Sequence, residues 1–170
     1  IIRLRVFDDN GNYSDYSTEL SVKTKPVTVD IVDVDTYAPD YTWATGDGAW
    51  DFATSNWGGL YTDNSKVLFC STEDVAVTLN ESVSPASVVV NSDASTTISG
   101  TGAIGGTASM NKAGEGTLVL NTANTYTGQT VLHGGVIEFN SLANGGKPSA
   151  IGASSEFAQN WVWDGGVWSY

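Results

Sequence analysis

Residues 110–131 read MNKAGEGTLVLNTANTYTGQTV, and the strand pattern inside this stretch returns 19 residues later. The segment GTLVLN (116–121) is matched by GVIEFN (135–140), with apolar residues at alternate positions. Alternation at period two is typical of a β-strand with one buried face. A repeat of about twenty residues, with short strands and polar corners, indicates a parallel β-solenoid whose coils stack on one another.

Two weaker copies of the pattern, in which Asn follows two spaced apolar residues, stand at 77–80 and 88–91. In the two strong copies, Asn121 and Asn140 lie at equivalent corners, where we expect their side chains to form a hydrogen-bonded ladder. An antiparallel sandwich shares the period-two pattern but gives no reason for the repeated Asn. Four apolar side chains are expected to point inward: Leu118, Leu120, Ile137 and Phe139.

The composition favours many short strands over helices. The 170 residues include 19 glycines and 41% hydrophobic but only 15% charged residues, and no apolar run is long enough for membrane insertion. The net charge of −12 argues against nucleic acid and anionic membranes as partners, because both require clustered Lys and Arg. The single Cys70 cannot form an internal disulfide, and we expect it to be a small buried residue.

A specific motif extends over residues 110–152. Lys112 opens the run K-x-G-x-G-T-L, which is followed by N-T-Y-T-G-x-T-V at 124–131 and then by Gly134-Gly135 and Ile151-Gly152. This motif closely resembles the autotransporter-associated β-strand repeat. The resemblance implies a right-handed parallel β-helix in a large exported bacterial protein, and the family motif contains no catalytic residues.

The chain divides into three regions of unequal length. Residues 1–25 read as two antiparallel strands joined by a tight turn, and they resemble the last two strands of a fibronectin type III domain. Residues 26–41 contain prolines and alternate Val with Asp, which predicts an extended linker. The β-helix segment is predicted over 42–170. Since the chain begins within a strand, we expect further domains of the same polypeptide to be its partners.

The six tryptophans require a functional interpretation. They form one group at 43–57 and another at 161–168, and the second group lies in what reads as one further coil. Flat aromatic faces stack on sugar rings, so exposed tryptophans with a nearby acid would form a carbohydrate-binding surface. For the first group we prefer a cap over the open end of the solenoid. The residues of the candidate surface are Trp43, Trp50, Trp57, Asp47, Trp161, Trp163 and Trp168.

The sequence contains only weak candidates for catalytic residues. His133 stands at a strand end without a nucleophile motif, so we expect an exposed corner residue. Asp47 and Asp51 have the spacing of a conceivable glycosidase pair, but acids in a Gly-rich loop more often cap its amides. The acids of the linker lack the Gly-containing turn and terminal Glu of a calcium loop. We therefore predict no enzyme activity, no metal site and no cofactor.

The sequence thus predicts an all-β fold, namely a right-handed parallel β-helix segment preceded by a β-sandwich hairpin. We predict a non-catalytic spacer in a large secreted or cell-surface bacterial protein. That protein would be an adhesin, or a polysaccharide-degrading enzyme with this segment as an accessory region. The alternative is a carbohydrate-binding module that uses exposed tryptophan side chains to bind polysaccharide.

Overall fold

The computed structural model describes residue 33 and residues 35–44, 46–155, 161–164 and 167–169. These ranges contain strands, turns and loops but no helix, and thus no helix that could cross a membrane. The hairpin predicted at 1–25 and most of the predicted linker lie outside the described residues. The described strands are β1 (Tyr41–Thr42), β2 (Gly48–Ala49), β3 (Lys66–Phe69), β4 (Val75–Thr78), β5 (Ser87–Asn91), β6 (Thr96–Ser99), β7 (Ser109–Ala113), β8 (Thr117–Asn121), β9 (Thr130–Leu132), β10 (Val136–Phe139), β11 (Trp161–Asp164) and β12 (Val167–Ser169).

The strands form two sheets that the chain visits in alternation. The odd-numbered sheet has the order β1-β3-β5-β7-β9-β11-β12, and the even-numbered sheet has the order β10-β8-β6-β4-β2. All pairings are parallel except the one between β11 and β12, which is antiparallel. The predicted parallel solenoid is therefore confirmed, and the antiparallel sandwich is wrong. The handedness of the coil stays a prediction.

Coil length is nearly constant through the middle of the solenoid. In the odd-numbered sheet, Lys66 pairs with Ser87, which is 21 residues further along the chain. The pairs Ser87–Ser109 and Met110–Thr130 are separated by 22 and 20 residues. A third side of each coil is loop, where Val83 forms a parallel bridge to Ile104. The parallel pairing keeps equivalent positions in register despite these small differences, so inward-facing side chains form columns along the axis.

The core consists of apolar columns between the sheets. Val77, Ile98 and Leu120 pair successively in β4, β6 and β8, and all three are fully buried. Burial of each such side chain contributes about 1.5–3 kcal/mol, so the stacking of coils is the main source of stability. A single coil would leave this column exposed, which is why the fold depends on repetition.

Of the four side chains predicted to point inward, three are in or against the core. Leu118 and Leu120 are fully buried, and Ile137 packs against them at partial exposure. Phe139 pairs with Leu120, so its predicted inward register is confirmed, yet its side chain is 45% exposed. The reason is that β10 is the last strand of the even-numbered sheet in the described part, and no further strand covers it there.

Three finer predictions require correction. The copy at 88–91 lies in the odd-numbered sheet, whereas the other copies lie in or beside strands of the even-numbered sheet. No hydrogen bond joins the side chains of Asn121 and Asn140, so the predicted ladder does not form between these two described residues. Within the predicted further coil, β11 pairs parallel with β9, but β12 turns back onto β11.

Candidate functional site

The first tryptophan group lies at the β1–β2 end of the solenoid. Trp43 directly follows β1 and Trp50 directly follows β2, and their amides donate to carbonyls of β3 and β4, each at 2.8–2.9 Å. Trp57 lies in the loop that leads to β3. All three side chains are buried, with Trp50 at 0% exposure, so their predicted burial is confirmed. Their ring faces are therefore not free to stack on a sugar.

The buried rings pack edge to face. Trp57 meets Trp43 at a centroid distance of 4.7 Å and an interplanar angle of 88°, and it meets Trp50 at 5.0 Å and 69°. Phe69 of β3 lies under all three, and Tyr61 closes one side. Such pairs contribute about 0.5–1.5 kcal/mol beyond the area that they bury. The cluster covers the apolar interior at the first coil.

The acids near this cap are occupied by hydrogen bonds to main-chain amides. Asp47 accepts from the amide of Ala76, one coil further along, at 2.8 Å. Asp51 accepts from the Thr54 hydroxyl and from the amides of Thr54 and Ala53. Desolvation tends to raise the pKa of Asp51, but these hydrogen bonds outweigh it and hold the pKa below its usual value. A glycosidase acid would need a raised pKa, so this arrangement favours a structural role.

The second tryptophan group is in the hairpin of β11 and β12. Trp161 pairs with Val131 of β9, and Trp163 pairs with Trp168. The side chains of these three tryptophans lie outside the described residues. Carbohydrate binding by this group stays a prediction.

Neither His133 nor Cys70 lies in a catalytic setting. His133 is partly buried, burial lowers its pKa, and its Nε2 is 3.2 Å from Oδ1 of Asn111 in the preceding coil. We predicted an exposed corner, but the neighbouring coil covers much of the ring. Cys70 is exposed rather than buried, because it follows the inward-facing Phe69 at the end of β3. Among the described residues, no group of three potential metal ligands comes together.

The polar residues of the 110–152 motif connect successive coils. Asn124 is fully buried, and its Oδ1 accepts from the amide of Ile104 in the preceding coil at 2.9 Å. Its Nδ2 donates to the carbonyl of Ala150 in the following segment at 2.7 Å. Thr122 donates to the same Oδ1 at 2.9 Å. One amide side chain thus joins its own coil to the preceding coil and to the segment around Ala150, and the sequence identified this residue only as part of a motif.

Tyr126 and two glycines complete the same contact region. The Tyr126 hydroxyl is 2.7 Å from Oγ1 of Thr130, and burial raises its pKa far above the usual value. A Cβ on Gly152 would lie 2.6 Å from the Tyr126 ring, and one on Gly128 would lie 2.7 Å from the carbonyl carbon of Ala108. Glycine is required at both positions because neighbouring coils approach too closely for a side chain.

Five aspartates form a second set of coil contacts, which we call the aspartate ladder. Each carboxylate accepts a hydrogen bond from a main-chain amide in the coil that follows. The central members have short contacts, from Ser84 to Asp63 at 2.7 Å and from Ser95 to Asp74 at 2.9 Å. The recurrence of Asp before strands is the sequence signal of this ladder, which we did not predict. Its members are Asp40, Asp47, Asp63, Asp74 and Asp93.

Comparison with known proteins agrees with this geometry. Residues 110–138 match the family model of the passenger-associated-transport-repeat. The chain is also similar to the adhesin BmaC autotransporter of Brucella suis biovar 1 (strain 1330), with 42% identity over 92 residues. The aligned part is 54% of this chain and 3% of that relative, so the chain spans a very small part of the relative's length. No solved structure matches.

The resemblance seen in the motif is thereby confirmed. The repeat and the relative support a structural segment of a bacterial protein that is secreted or displayed at the cell surface. The fibronectin-like character of residues 1–25 stays a prediction.

Proposed function

We propose that this segment is a rigid spacer within an adhesin, which holds other parts of the same polypeptide away from the bacterial surface. The observation that carries the proposal is the use of the motif's polar side chains between coils. Asn124 and Tyr126 are both fully buried and hydrogen-bonded. Buried polar groups that bond within and between coils maintain a shape, and these groups are not available to contact a substrate.

We also propose that this segment does not catalyse a reaction. Asp47 and Asp51, the strongest catalytic candidates of the sequence, accept hydrogen bonds that satisfy main-chain amides. The adhesin name of the relative favours a cell-surface adhesin over an accessory region of a polysaccharide-degrading enzyme.

Two adjacent positions on β8 provide a matched test. Leu120 is fully buried in the core column, whereas Val119 alternates with it and is partly exposed on the outer face of the sheet. Leu120→Asp places an unpaired charge in the core and should abolish the fold of these coils. Val119→Asp introduces the same charge on the outer face and should leave the fold intact.

The experiment measures adhesion and protease resistance of the full-length protein on bacterial cells. A spacer predicts that Leu120→Asp lowers both, and that Val119→Asp changes neither. If Val119→Asp retained protease resistance but lost adhesion, the outer face would itself bind the target and the spacer proposal would be wrong.

A carbohydrate-binding role is the second candidate, and it rests on the second tryptophan group alone. The register of Trp163 against Trp168 brings two aromatic positions together on neighbouring strands. Affinity electrophoresis of the protein in gels that contain neutral polysaccharides tests this role. Retardation that Trp163→Ala removes, at unchanged stability, would support it, whereas unretarded migration in every gel would exclude it for those polymers.

A further inference from the structure

Lys112 lies inside the solenoid, where a cation is unusual. In β7 it pairs with Val90 of β5 and Leu132 of β9, so it belongs to an inward column that is otherwise apolar and begins at Phe69. Its side chain is fully buried. Lysines are rarely buried without a partner, because removal of the charge from water opposes folding.

The partners of the ammonium group are main-chain carbonyls. Nζ donates to the carbonyls of Ala113 and Gly114 at the corner that follows β7, the latter at 3.0 Å. The third acceptor is the carbonyl of Gly134, in the next coil, at 3.5 Å. An ammonium group has three donors, so these three carbonyls use all of them. Burial lowers the pKa of Lys112, and the charge of Asp93 partly offsets that effect.

Gly135 provides the space that this arrangement needs. A Cβ at Gly135 would overlap the carbonyl oxygen of Gly116 and would lie 2.7 Å from Nζ of Lys112, so both the backbone and the ammonium group require glycine there. Gly135 also has a φ of 72°, which favours glycine. The Gly-Gly pair of the motif therefore has two tasks, since Gly134 supplies an acceptor and Gly135 leaves room for the donor.

We propose that Lys112 is a positioning residue whose ammonium group fixes the Gly134-Gly135 corner of the following coil in register. The contact with Gly134 exists only when the next coil is seated on β7, whereas the contacts with Ala113 and Gly114 are local. Lysine therefore contributes to the placement of the next coil more than to the stability of the core, since a buried charge does not by itself favour folding. This role is independent of what the protein does at the cell surface.

Local hydrogen exchange in the 170-residue protein tests the proposal. The variant Lys112→Met keeps the length of the side chain but removes its donors. Exchange of the amides at 133–139 should accelerate about 10- to 100-fold, as expected from the loss of hydrogen bonds to a charged group. Exchange in β4 and β6 should not change. Lys66→Met, which removes an exposed lysine from β3, is the matched control and should leave all of these rates unchanged.

Chemical rescue separates the charge from the packing. Lys112→Ala vacates the position of the ammonium group, so ammonium chloride should restore protection at 133–139. Tetramethylammonium chloride at the same concentration should not, because that ion has no N–H donor. If Lys112→Met does not fold, folding of Lys112→Ala in ammonium but not in tetramethylammonium upholds the proposal. Wild-type exchange at 133–139 in Lys112→Met, a uniform loss of protection in all coils, or equal effects of the two salts would overturn it.

Discussion

Replacement of Gly116 by alanine tests whether close contact between coils holds the solenoid together. Gly116 lies at the corner before β8, and its φ lies outside the left-handed region, so alanine brings no backbone strain. A Cβ there would overlap the carbonyl oxygen of Ala94 and lie 2.7 Å from that of Ser92. The coils would have to separate by more than roughly 0.7 Å to restore an ordinary contact of about 3.4 Å, because the Ala94 oxygen is closer still.

The separation has a calculable effect on stability. The amide of Gly116 donates to the carbonyl of Ser92 at 3.0 Å, and even a shift of roughly 0.7 Å would take this bond beyond the range of a hydrogen bond. Overpacking reduces stability by about 1–3 kcal/mol, and the loss of one hydrogen bond reduces it by about 1 kcal/mol more. We therefore expect Gly116→Ala to lower the free energy of unfolding by about 2–4 kcal/mol.

Urea unfolding followed by far-UV circular dichroism measures the effect. Gly134→Ala is the matched control, because a Cβ at Gly134 meets only the carbonyl oxygen of Gly114, at an ordinary 3.5 Å. That variant should unfold within about 0.5 kcal/mol of the wild type. Equal stabilities of the two variants would refute the argument, since the coils would then tolerate a side chain at their closest approach.

Three further predictions address the cap, the buried amide and the buried phenol. In the same urea assay, Trp50→Ala should lower the free energy of unfolding by about 3–5 kcal/mol, because it removes a fully buried ring. Phe52→Ala removes an exposed ring of the same region and should lower it by less than about 1 kcal/mol. Asn124→Ala should reduce the melting temperature, because it leaves the amide of Ile104 and the carbonyl of Ala150 unsatisfied. Asn121→Ala changes an exposed corner residue and should leave the melting temperature unchanged. Burial raises the pKa of Tyr126, so its contribution to stability is complete below the unfolded-state pKa of about 10 and is lost as pH rises above it. Between pH 9 and 11.5, the free energy of unfolding should therefore fall less steeply with pH for Tyr126→Phe than for the wild type. Identical slopes would contradict the raised pKa of Tyr126.

The architecture could be predicted from the sequence because a solenoid repeats its own pattern. The segments at 116–121 and 135–140 have matching sequence patterns, and the structure pairs them in parallel with Leu118 opposite Ile137. A period-two pattern indicates which side of a strand faces inward, but it does not indicate where a sheet ends. The exposure of Phe139 could not be predicted for this reason, since β10 has the predicted inward register but no neighbour beyond it in the described part.

The roles of single polar residues were harder to predict. Contacts such as that between Asp63 and Ser84 join residues 21 apart, and they can be recognised only when the length of each coil is known. Asn124 and Lys112 appeared as letters of a motif, because a sequence does not reveal which carbonyls surround a side chain. Their contacts reach into other coils or segments, and this information is absent from any one repeat.

The equal offset of two central members of the aspartate ladder also bears on how such proteins lengthen. The contacts of Asp63 with Ser84 and of Asp74 with Ser95 both span 21 residues, which is the length of one coil. If an ancestral gene duplicated a stretch of 63 nucleotides within these central coils, the carboxylates of Asp63 and Asp74 would again find an amide in the coil above. Growth by unequal crossing-over would therefore need no particular breakpoint within these coils, where the period is 21 residues.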